Sequence, residues 1–358
     1  MKKLAAHYLI SEGEVMLRPL VTLSDEGVVV AIEQWDRLDS EPLTVFHSGA
    51  IIPQMVNAHC HLELSYLRGE IPRGCGFAGF ASHLRRVRDA FSREQRERAM
   101  AAADSAMAAE GVAVVGDVAN GDESFSTKAH SPIEYHTFAE VFGYHDNLEQ
   151  ASQLLSYPRT TLTPHSCYSL QSGVFQDVVR CSEGSPLSIH FLESAAEREL
   201  YRGEGALAEW YRSMGWQWDF LSHYRSPVER LIAEIPPHQE LLLVHNCFIT
   251  EEDVERLTAH FSSVTFVLCP ASNDYLSGVM PPAAMLLRKG CKVAIGTDSL
   301  ASAESLSVWD NVLMLKDVPL PTAVRWATEG GARALHSSHS GKVAIGEKIA
   351  LVDEVHLR

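Results

Sequence analysis

The sequence predicts an α/β protein built as a (β/α)8 TIM barrel, with a small β-sandwich domain formed from the N- and C-terminal segments. Three observations predict this fold. The length of 358 residues suits one large barrel. Short apolar runs alternate with longer helical stretches through the middle of the chain, and there are eight of them, the number that closes such a barrel. Both ends of the chain are rich in strands. Periodicity alone leaves an open doubly wound sheet as the alternative.

The N-terminal part of the small domain comprises residues 1–49, and short strands are predicted at Lys3–Ile10, Gly13–Leu23, Gly27–Gln34 and Leu43–His47. The C-terminal part comprises residues 337–358, where the segment from Ser340 to Val352 has the pattern strand, glycine turn, strand. Because strand-rich segments flank the barrel at both ends of the chain, we expect the two ends to pair into one small domain.

The barrel itself is predicted over residues 50–336. Its expected strands are Ala50–Asn57, Val112–Val118, Tyr135–Phe142, Thr160–Thr163, Leu187–Leu192, Leu241–Asn246, Val264–Cys269 and Lys292–Thr297. The expected helices are Phe77–Glu110, Asn147–Leu155, Val174–Val179, Ala196–Met214, Glu251–His260 and Ala283–Lys289.

The charge and composition of the chain disfavour some classes of binding partner. Lys and Arg total 30 against 46 Asp and Glu, so the net charge of −16 disfavours nucleic acid polymers and anionic membranes. The sequence contains no apolar run of the ~18 residues that a membrane helix needs. The seven cysteines have no CxxC spacing, which predicts neither a disulfide framework nor a zinc ribbon and favours a cytoplasmic protein with free thiols.

The strongest chemical signal is His59-Cys60-His61, which directly follows an apolar run. Residues two apart on an extended chain point to the same side, so both imidazoles can face one ion while Cys60 faces away. The pair would lie at the C-terminal end of a strand, where barrel enzymes have their sites.

Three single residues also close predicted strands, namely His190, His245 and Asp298. Each alone is better explained as a hydrogen-bonded structural group than as a ligand. Together they bring imidazoles and a carboxylate to the same rim, and nitrogen and oxygen ligands without thiolate suit Zn²⁺, with Fe²⁺ as the alternative. Glu193, three residues beyond His190, is either a proton shuttle over the ion or a favourable charge at a helix N-terminus.

This set of motifs resembles the amidohydrolase superfamily over nearly the whole chain. The matching segments are Pro53 to His61, Thr163 to Ser169, His190 to Glu193, Cys269 to Asn273, Gly296 to Ser302 and the C-terminal glycine-turn tail. Within the superfamily the chain is similar to the metal-dependent, chlorohydrolase-like deaminases. That branch includes enzymes acting on S-adenosylhomocysteine, methylthioadenosine and aminodeoxyfutalosine.

The resemblance implies a role for each matching position. The metal ligands would be His59, His61, His190 and Asp298. Glu193 would shuttle protons, His245 would hydrogen-bond the attacking water, and Asp298 would also accept the proton of that water. Among the substrate-binding candidates, His165 matches a position that contacts the sugar or tail, and Arg68 begins the mouth loop.

Two features concern departures from relatives. Strand four ends at Thr163-Pro164-His165 without the Lys or Glu that bridges two ions, so one divalent ion is expected. Glu63 stands where relatives have an apolar or small residue, and it either faces a polar substrate or begins a helix. Arg73, Arg85 and Arg86 are further candidates to meet a substrate carboxylate, or are solvated surface.

The resulting prediction is a mononuclear aminohydrolase for a small molecule, most simply a 5′-substituted adenosine, from which ammonia is released. The resemblance also suggests a homodimer. The alternatives are another hydrolysis in the same site, such as triazine dechlorination or opening of a cyclic amide or imidazolone, and a catalytically silent ligand-binding barrel. Histidines that serve only as core residues are a third alternative, but burying so many without an ion is costly.

Overall fold

A computed structural model describes residues 1–35, 44–143, 145–353 and 355. Two groups of strands carry the architecture. The terminal sheet contains β1 (Lys2–Ser11), β2 (Glu14–Leu17), β3 (Pro19–Leu23), β4 (Val29–Gln34), β5 (Thr44–Pro53) and β14 (Ile349–Val352). The barrel contains β6 (Met55–Cys60), β7 (Val112–Ala119), β8 (Glu134–Val141), β9 (Thr160–Pro164), β10 (Leu187–Phe191), β11 (Leu241–His245), β12 (Val264–Leu268) and β13 (Lys292–Ile295).

Helices separate the barrel strands, and most lie outside them. The α-helices are α1 (Gly76–Val87), α2 (Arg93–Glu110), α3 (Phe125–His130), α4 (Leu148–Gln153), α5 (Ser172–Cys181), α6 (Ala195–Leu200), α7 (Gly205–Ser213), α8 (Pro227–Glu234), α9 (Glu251–His260), α10 (Pro270–Ser277), α11 (Ala283–Arg288), α12 (Val308–Met314), α13 (Leu320–Arg325) and α14 (Gly331–Ala334). Short 3₁₀ turns lie at Leu62–Leu67, Arg88–Ala90, Leu154–Ser156 and Asp219–Leu221, and a π turn at Trp326–Gly330. In the described part of the chain, no helix has both the length and the apolar character to cross a membrane.

The barrel is closed from two parallel four-stranded sheets, β6 to β9 and β10 to β13. The two seams are joined near the C-terminal ends of the strands by the parallel bridges Ser166↔His190 and Cys60↔Asp298. The amide of His190 donates to the carbonyl of His165 at 2.9 Å across one seam, and that of Thr297 donates to His59 at 2.9 Å across the other. The predicted α/β barrel is therefore confirmed, and the open-sheet alternative is wrong.

Side chains alternate along the strands and fill two cores. Val56 and Val114 belong to an inner cluster contributed by several strands, whereas their neighbours Met55 and Val115 pack with helices on the outside. The two cores hold the C-terminal strand ends in fixed register, and those ends carry the polar residues of the predicted site.

The two ends of the chain pair as predicted, in one six-stranded sheet. Strand β14 runs antiparallel to β5, with Ile349 opposite Pro53 and Val352 opposite Ala50, and β5 runs parallel to β1. Leu4, Val21 and Ile51 form a core of their own there. Of the predicted strand Leu43–His47, residue 43 lies outside the described residues. The exact division into domains stays a prediction, and so does the homodimer.

Several predicted boundaries are wrong. The strand Ala50–Asn57 is two strands, because Pro53 ends the pairing with β14 and the barrel ladder begins at Met55. Phe77–Glu110 is broken where Ser92 caps α2 with Gln95. The predicted helix Ala196–Met214 is interrupted by glycines with positive φ at 203 and 205. The predicted strand Gly13–Leu23 is interrupted by Arg18, which has φ +49°. Within residues 340–352 only Ile349–Val352 forms a strand.

Candidate active site

Four predicted ligands meet at the C-terminal rim of the barrel. Nε2 of His61 lies 3.2 Å from Nε2 of His190 and 3.5 Å from Oδ1 of Asp298, and Nε2 of His59 lies 4.0 Å from the same carboxylate oxygen. All four side chains are buried. One donor atom from each residue lies within 4.8 Å of the others, as expected of a group that surrounds a single ion.

The donor set fits a divalent metal. Tetrahedral ligands at ~2.0–2.2 Å from zinc lie about 3.3–3.6 Å apart, close to the separations observed here. Nε2 of His59 is fully buried and has no hydrogen-bond partner among the described residues, which is costly unless the atom binds something. Burial and the neighbouring imidazoles hold the pKa values of His59 and His190 well below their ordinary range, so both are neutral, which is the form that binds metal.

Other groups orient the ligands from behind. Nδ1 of His190 lies 3.1 Å from the carbonyl oxygen of His165, which leaves Nε2 for the ion. Oδ2 of Asp298 accepts hydrogen bonds from the hydroxyls of Ser272 and Ser302, both at 2.6 Å, so Oδ1 faces the histidines. Burial alone would raise the pKa of Asp298, but His61 and these hydroxyls hold it below its ordinary value.

A second group of ligand-type atoms lies beside the first, formed by Glu140, His165 and His190. Oε1 of Glu140 is 3.6 Å from Nδ1 of His190. Because that nitrogen is already bonded to the carbonyl oxygen of His165, it is not free for a second ion. Glu140 was missed in the sequence, although it lies near the end of a predicted strand, as the ligands do.

Glu193 lies in the turn between β10 and α6, and Glu197 holds that turn. The carboxylate of Glu197 accepts hydrogen bonds from the backbone amides of Leu192 at 2.8 Å, Glu193 at 2.6 Å and Ser194 at 3.2 Å. Burial and nearby Asp298 raise the pKa of Glu193 to about 8, so its carboxyl group is largely protonated at neutral pH. The Ser194-x-x-Glu197 spacing is a capping-box pattern and could have been recognised in the sequence.

The position of His245 matches its predicted place beside the ligands. It ends β11, and its Nε2 lies 3.9 Å from Oε1 of Glu193. Its ring stacks on that of His190, with centroids 5.4 Å apart. Burial lowers the pKa of His245, which keeps the imidazole neutral.

The three predicted substrate-binding residues differ in their surroundings. His165 stacks on His190 at 4.7 Å, and its Nδ1 is buried without a partner among the described residues. Glu63 accepts a hydrogen bond from the amide of Asn120 at 2.9 Å, and burial raises the pKa of Glu63 to about 7. Arg68 is exposed. Glu63 also lies in the first turn of the 3₁₀ helix Leu62–Leu67, which confirms the helix-start placement, and its contact with a substrate stays a prediction.

Comparisons with known proteins agree with this geometry. The chain is 26% identical over 359 aligned residues to an adenosine deaminase of Helicobacter pylori, covering 92% of this chain and 87% of the relative. It is 25% identical to an aminodeoxyfutalosine deaminase of Nitratiruptor, covering 83% of this chain and 76% of the relative. The fold matches that of Helicobacter pylori aminofutalosine deaminase in complex with methylthio-coformycin, with a TM-score of 0.82, 23% identity and coverage of 100% and 93%.

An adenosine deaminase of Xanthomonas campestris with bound zinc has the same fold, with a TM-score of 0.71, 23% identity and coverage of 98% and 84%. The model of the amidohydrolase family matches residues 50–352. This range begins before the first histidine ligand and ends with the last strand of the terminal sheet. The predicted resemblance is thus confirmed, and the chain belongs to the amidohydrolase family.

Proposed function

We propose that this protein is a mononuclear metal-dependent aminohydrolase that removes an amino group from a heterocycle, with a 5′-substituted adenosine as substrate and ammonia as product. The observation that carries the proposal is the buried carboxyl group of Glu193, whose pKa is raised to about 8, next to a group of three His and one Asp that can hold a metal ion. Hydrolysis at a ring carbon needs a proton for the neighbouring ring nitrogen, and a carboxyl group of raised pKa is suited to supply it.

His59, His61, His190 and Asp298 would hold one ion, with zinc as our choice and iron as the alternative. When bound, such an ion supplies positive charge and a water that ionises near neutral pH. The adenosine deaminase of Xanthomonas campestris with the same fold has bound zinc, which supports the choice.

Three side chains of the protein transfer protons or donate hydrogen bonds during the reaction. Glu193 gives its proton to the ring nitrogen, which makes the adjacent carbon electrophilic. Asp298 receives the proton of the attacking water through Oδ1, since Oδ2 is occupied by two hydroxyls. His245 donates a hydrogen bond to the oxygen that gains charge as the water adds. Asp298 then passes this proton to the amino group, which leaves as ammonia, and the hydroxyl proton of the adduct returns to Glu193 as the carbonyl forms.

The choice of substrate rests on the relatives and on three residues at the mouth. The matched relatives include deaminases of adenosine and of 5-methylthioadenosine and S-adenosylhomocysteine. We assign His165 to the sugar, Glu63 to a polar group of the substrate, and exposed Arg68 to an anionic tail. Binding energy from such remote groups orients the reacting carbon, so truncated substrates should lose kcat as well as affinity.

The test is ammonia release by zinc-loaded protein from adenosine, 5′-methylthioadenosine, S-adenosylhomocysteine, adenine, guanine and a chlorotriazine. We expect 5′-substituted adenosines to have the highest kcat/KM. Glu193→Gln should lower kcat by ~10²–10⁴-fold without loss of zinc. Glu209→Gln, the same change on the exposed surface of α7, is the matched control and should leave kcat unchanged.

Further variants test the identity of the substrate independently of the deamination reaction. His165→Ala should impair the nucleosides far more than adenine, and Arg68→Ala should remove any preference for an anionic tail. Preference for adenine or guanine would contradict the nucleoside assignment while leaving deamination intact. Preference for the chlorotriazine, with chloride released, would favour the alternative hydrolysis. No turnover of any compound by zinc- or iron-loaded protein would favour the silent barrel.

A further inference from the structure

The segment Cys269–Asn273 follows β12, the seventh strand of the barrel, and opens α10. In the described part of the chain it adds nothing to the group of four ligands. Two of its side chains nevertheless reach that rim. Ser272 donates to Oδ2 of Asp298, and the side-chain amide of Asn273 lies 2.9 Å from Nδ1 of His245. Both polar side chains are buried away from solvent.

The partner of Asn273 is held in an unusual backbone conformation. His245 has φ +75° and Asn246 has φ +60°, and both are non-glycine residues in the left-handed region. Such residues are strained and persist where their surroundings fix the backbone. The side-chain amide of Asn246 supplies part of that restraint by donating to the carbonyl of Leu243 at 2.6 Å. The turn therefore sets the direction of the His245 ring, and Asn273 meets one edge of it.

The hydrogen-bond chemistry of this contact determines where the ring hydrogen lies. The Nδ2 amino group of Asn273 can only donate, so Nδ1 of His245 must accept and carries no hydrogen. A neutral imidazole has one hydrogen, which then lies on Nε2. Nε2 is the nitrogen that faces Glu193, at 3.9 Å from its Oε1.

We propose that Asn273 is a positioning residue that fixes His245 in the tautomer with its hydrogen on Nε2, so that His245 is a hydrogen-bond donor to the reacting oxygen and not a base. The inference rests on the proposed function for its catalytic meaning. It leaves Glu193 and Asp298 to move the protons. The reversed amide, with Oδ1 toward the ring, demands a hydrogen on Nδ1 and makes His245 an acceptor at Nε2.

The first measurement reads the tautomer directly and needs no substrate. Protein with ¹⁵N-labelled histidine is loaded with zinc, and the ring signals of His245 are assigned by their loss in His245→Gln. We expect a hydrogen on Nε2 and none on Nδ1. In Asn273→Asp, where the carboxylate can only accept, the hydrogen should move to Nδ1. A hydrogen on Nδ1 in the unmodified protein would overturn the proposal.

The second measurement is kinetic. Asn273→Asp should keep its zinc and its KM within about threefold but lose kcat by ~10²–10³-fold, the loss seen when an oxyanion donor is removed. Asn273→Ala, which leaves the ring unrestrained, should lose less. The matched control is Ser277→Ala, because its hydroxyl bonds the backbone carbonyl of Asn273 at 3.0 Å on the same helix, and kcat should not change.

The outcomes separate this inference from the proposed function. Asn273→Asp with kcat within twofold of the unmodified enzyme would overturn the inference while deamination stands. A protein that deaminates none of the tested compounds but shows the Nε2 hydrogen, moved by Asn273→Asp, would support the inference and refute the function. If Asn273→Asp does not fold, the spectrum of the unmodified protein decides.

Discussion

Removal of one partner of a buried ion pair behind the metal ligands should strongly destabilise the barrel. Nζ of Lys128, on α3, lies 2.5 Å from Oδ2 of Asp117 on β7, and the two side chains are 6% and 0% exposed. The other oxygen of Asp117 accepts the amide of Leu62 at 2.8 Å, directly after the ligand His61. The pair thus ties the turn after the first two ligands to the neighbouring strand.

The perturbation is Lys128→Met, which keeps the length of the side chain and removes its charge. Asp117 is then a buried carboxylate with no countercharge, which costs about 3–5 kcal/mol. Lost contact between the ammonium group and the ring of Phe125, now 4.5 Å apart, adds up to about 2 kcal/mol. We therefore expect the free energy of unfolding of the zinc-free protein to fall by about 3–7 kcal/mol in urea titrations at pH 7.

Two further variants check this reasoning. Lys292→Met removes an exposed lysine whose Nζ bonds the hydroxyl of Ser263, and it should change stability by less than about 0.5 kcal/mol. Adding Asp117→Asn to Lys128→Met removes the buried charge and keeps an acceptor for Leu62, so it should recover most of the loss. A loss below about 1 kcal/mol for Lys128→Met, or no recovery in the double variant, would refute the argument.

Three other predictions concern the site. Glu197→Gln leaves one backbone amide of the Glu193 turn unpaired, so kcat should fall about tenfold with zinc retained, as measured against Glu209→Gln. Ser302→Ala removes one of the two hydroxyls that bond Oδ2 of Asp298, so chelator competition should show ~10–100-fold weaker zinc binding, with one equivalent of metal in the unmodified protein by elemental analysis. Two equivalents would contradict the single-ion site. The third is the pH dependence of unfolding of the zinc-free protein. Burial lowers the pKa of histidines such as His165, so their protonation disfavours the native state and stability should rise from acid pH toward pH 6.5. The pKa of Glu193 is raised from 4.5 to about 8, so its ionisation disfavours the native state and stability should fall between pH 6.5 and about pH 8. Glu193→Gln should flatten that fall.

The four ligands could be predicted because parallel strands end at one edge. A residue that closes an apolar run in such a fold must lie at that edge, and His59, His190 and Asp298 each do so. The same reasoning failed for the first barrel strand. Only Pro53 and Gln54 separate the apolar residues of β5 from those of β6 in the sequence, and the pairing of β5 with β14, almost 300 residues later, shows where one sheet ends.

The residues that hold the ligands were harder to predict. Asn273 and Ser272 were recognised as part of a matching segment, but nothing in their spacing shows that one side chain reaches β11 and the other the end of β13. Such contacts depend on how α10 begins after its strand. Glu140 was missed for a similar reason, because it follows apolar residues along β8 without a motif around it. The end of a strand can be predicted from the sequence. The direction of a side chain in a loop depends on tertiary packing and therefore cannot be predicted in the same way.

The carboxyl groups of Glu193 and Asp298 have surroundings that favour opposite protonation states. Burial and the charge of Asp298 raise the pKa of Glu193 to about 8, and no hydrogen-bond donor to its carboxyl group is found among the described residues. Asp298 is equally buried, yet His61 and two hydroxyls stabilise its ionised form and lower its pKa. Near pH 7 one group therefore carries a proton to give and the other can receive one. Because each state depends on neighbours and not on the carboxyl group itself, exchanging the neighbours should alter the pH profile of kcat more than it alters the binding of substrate.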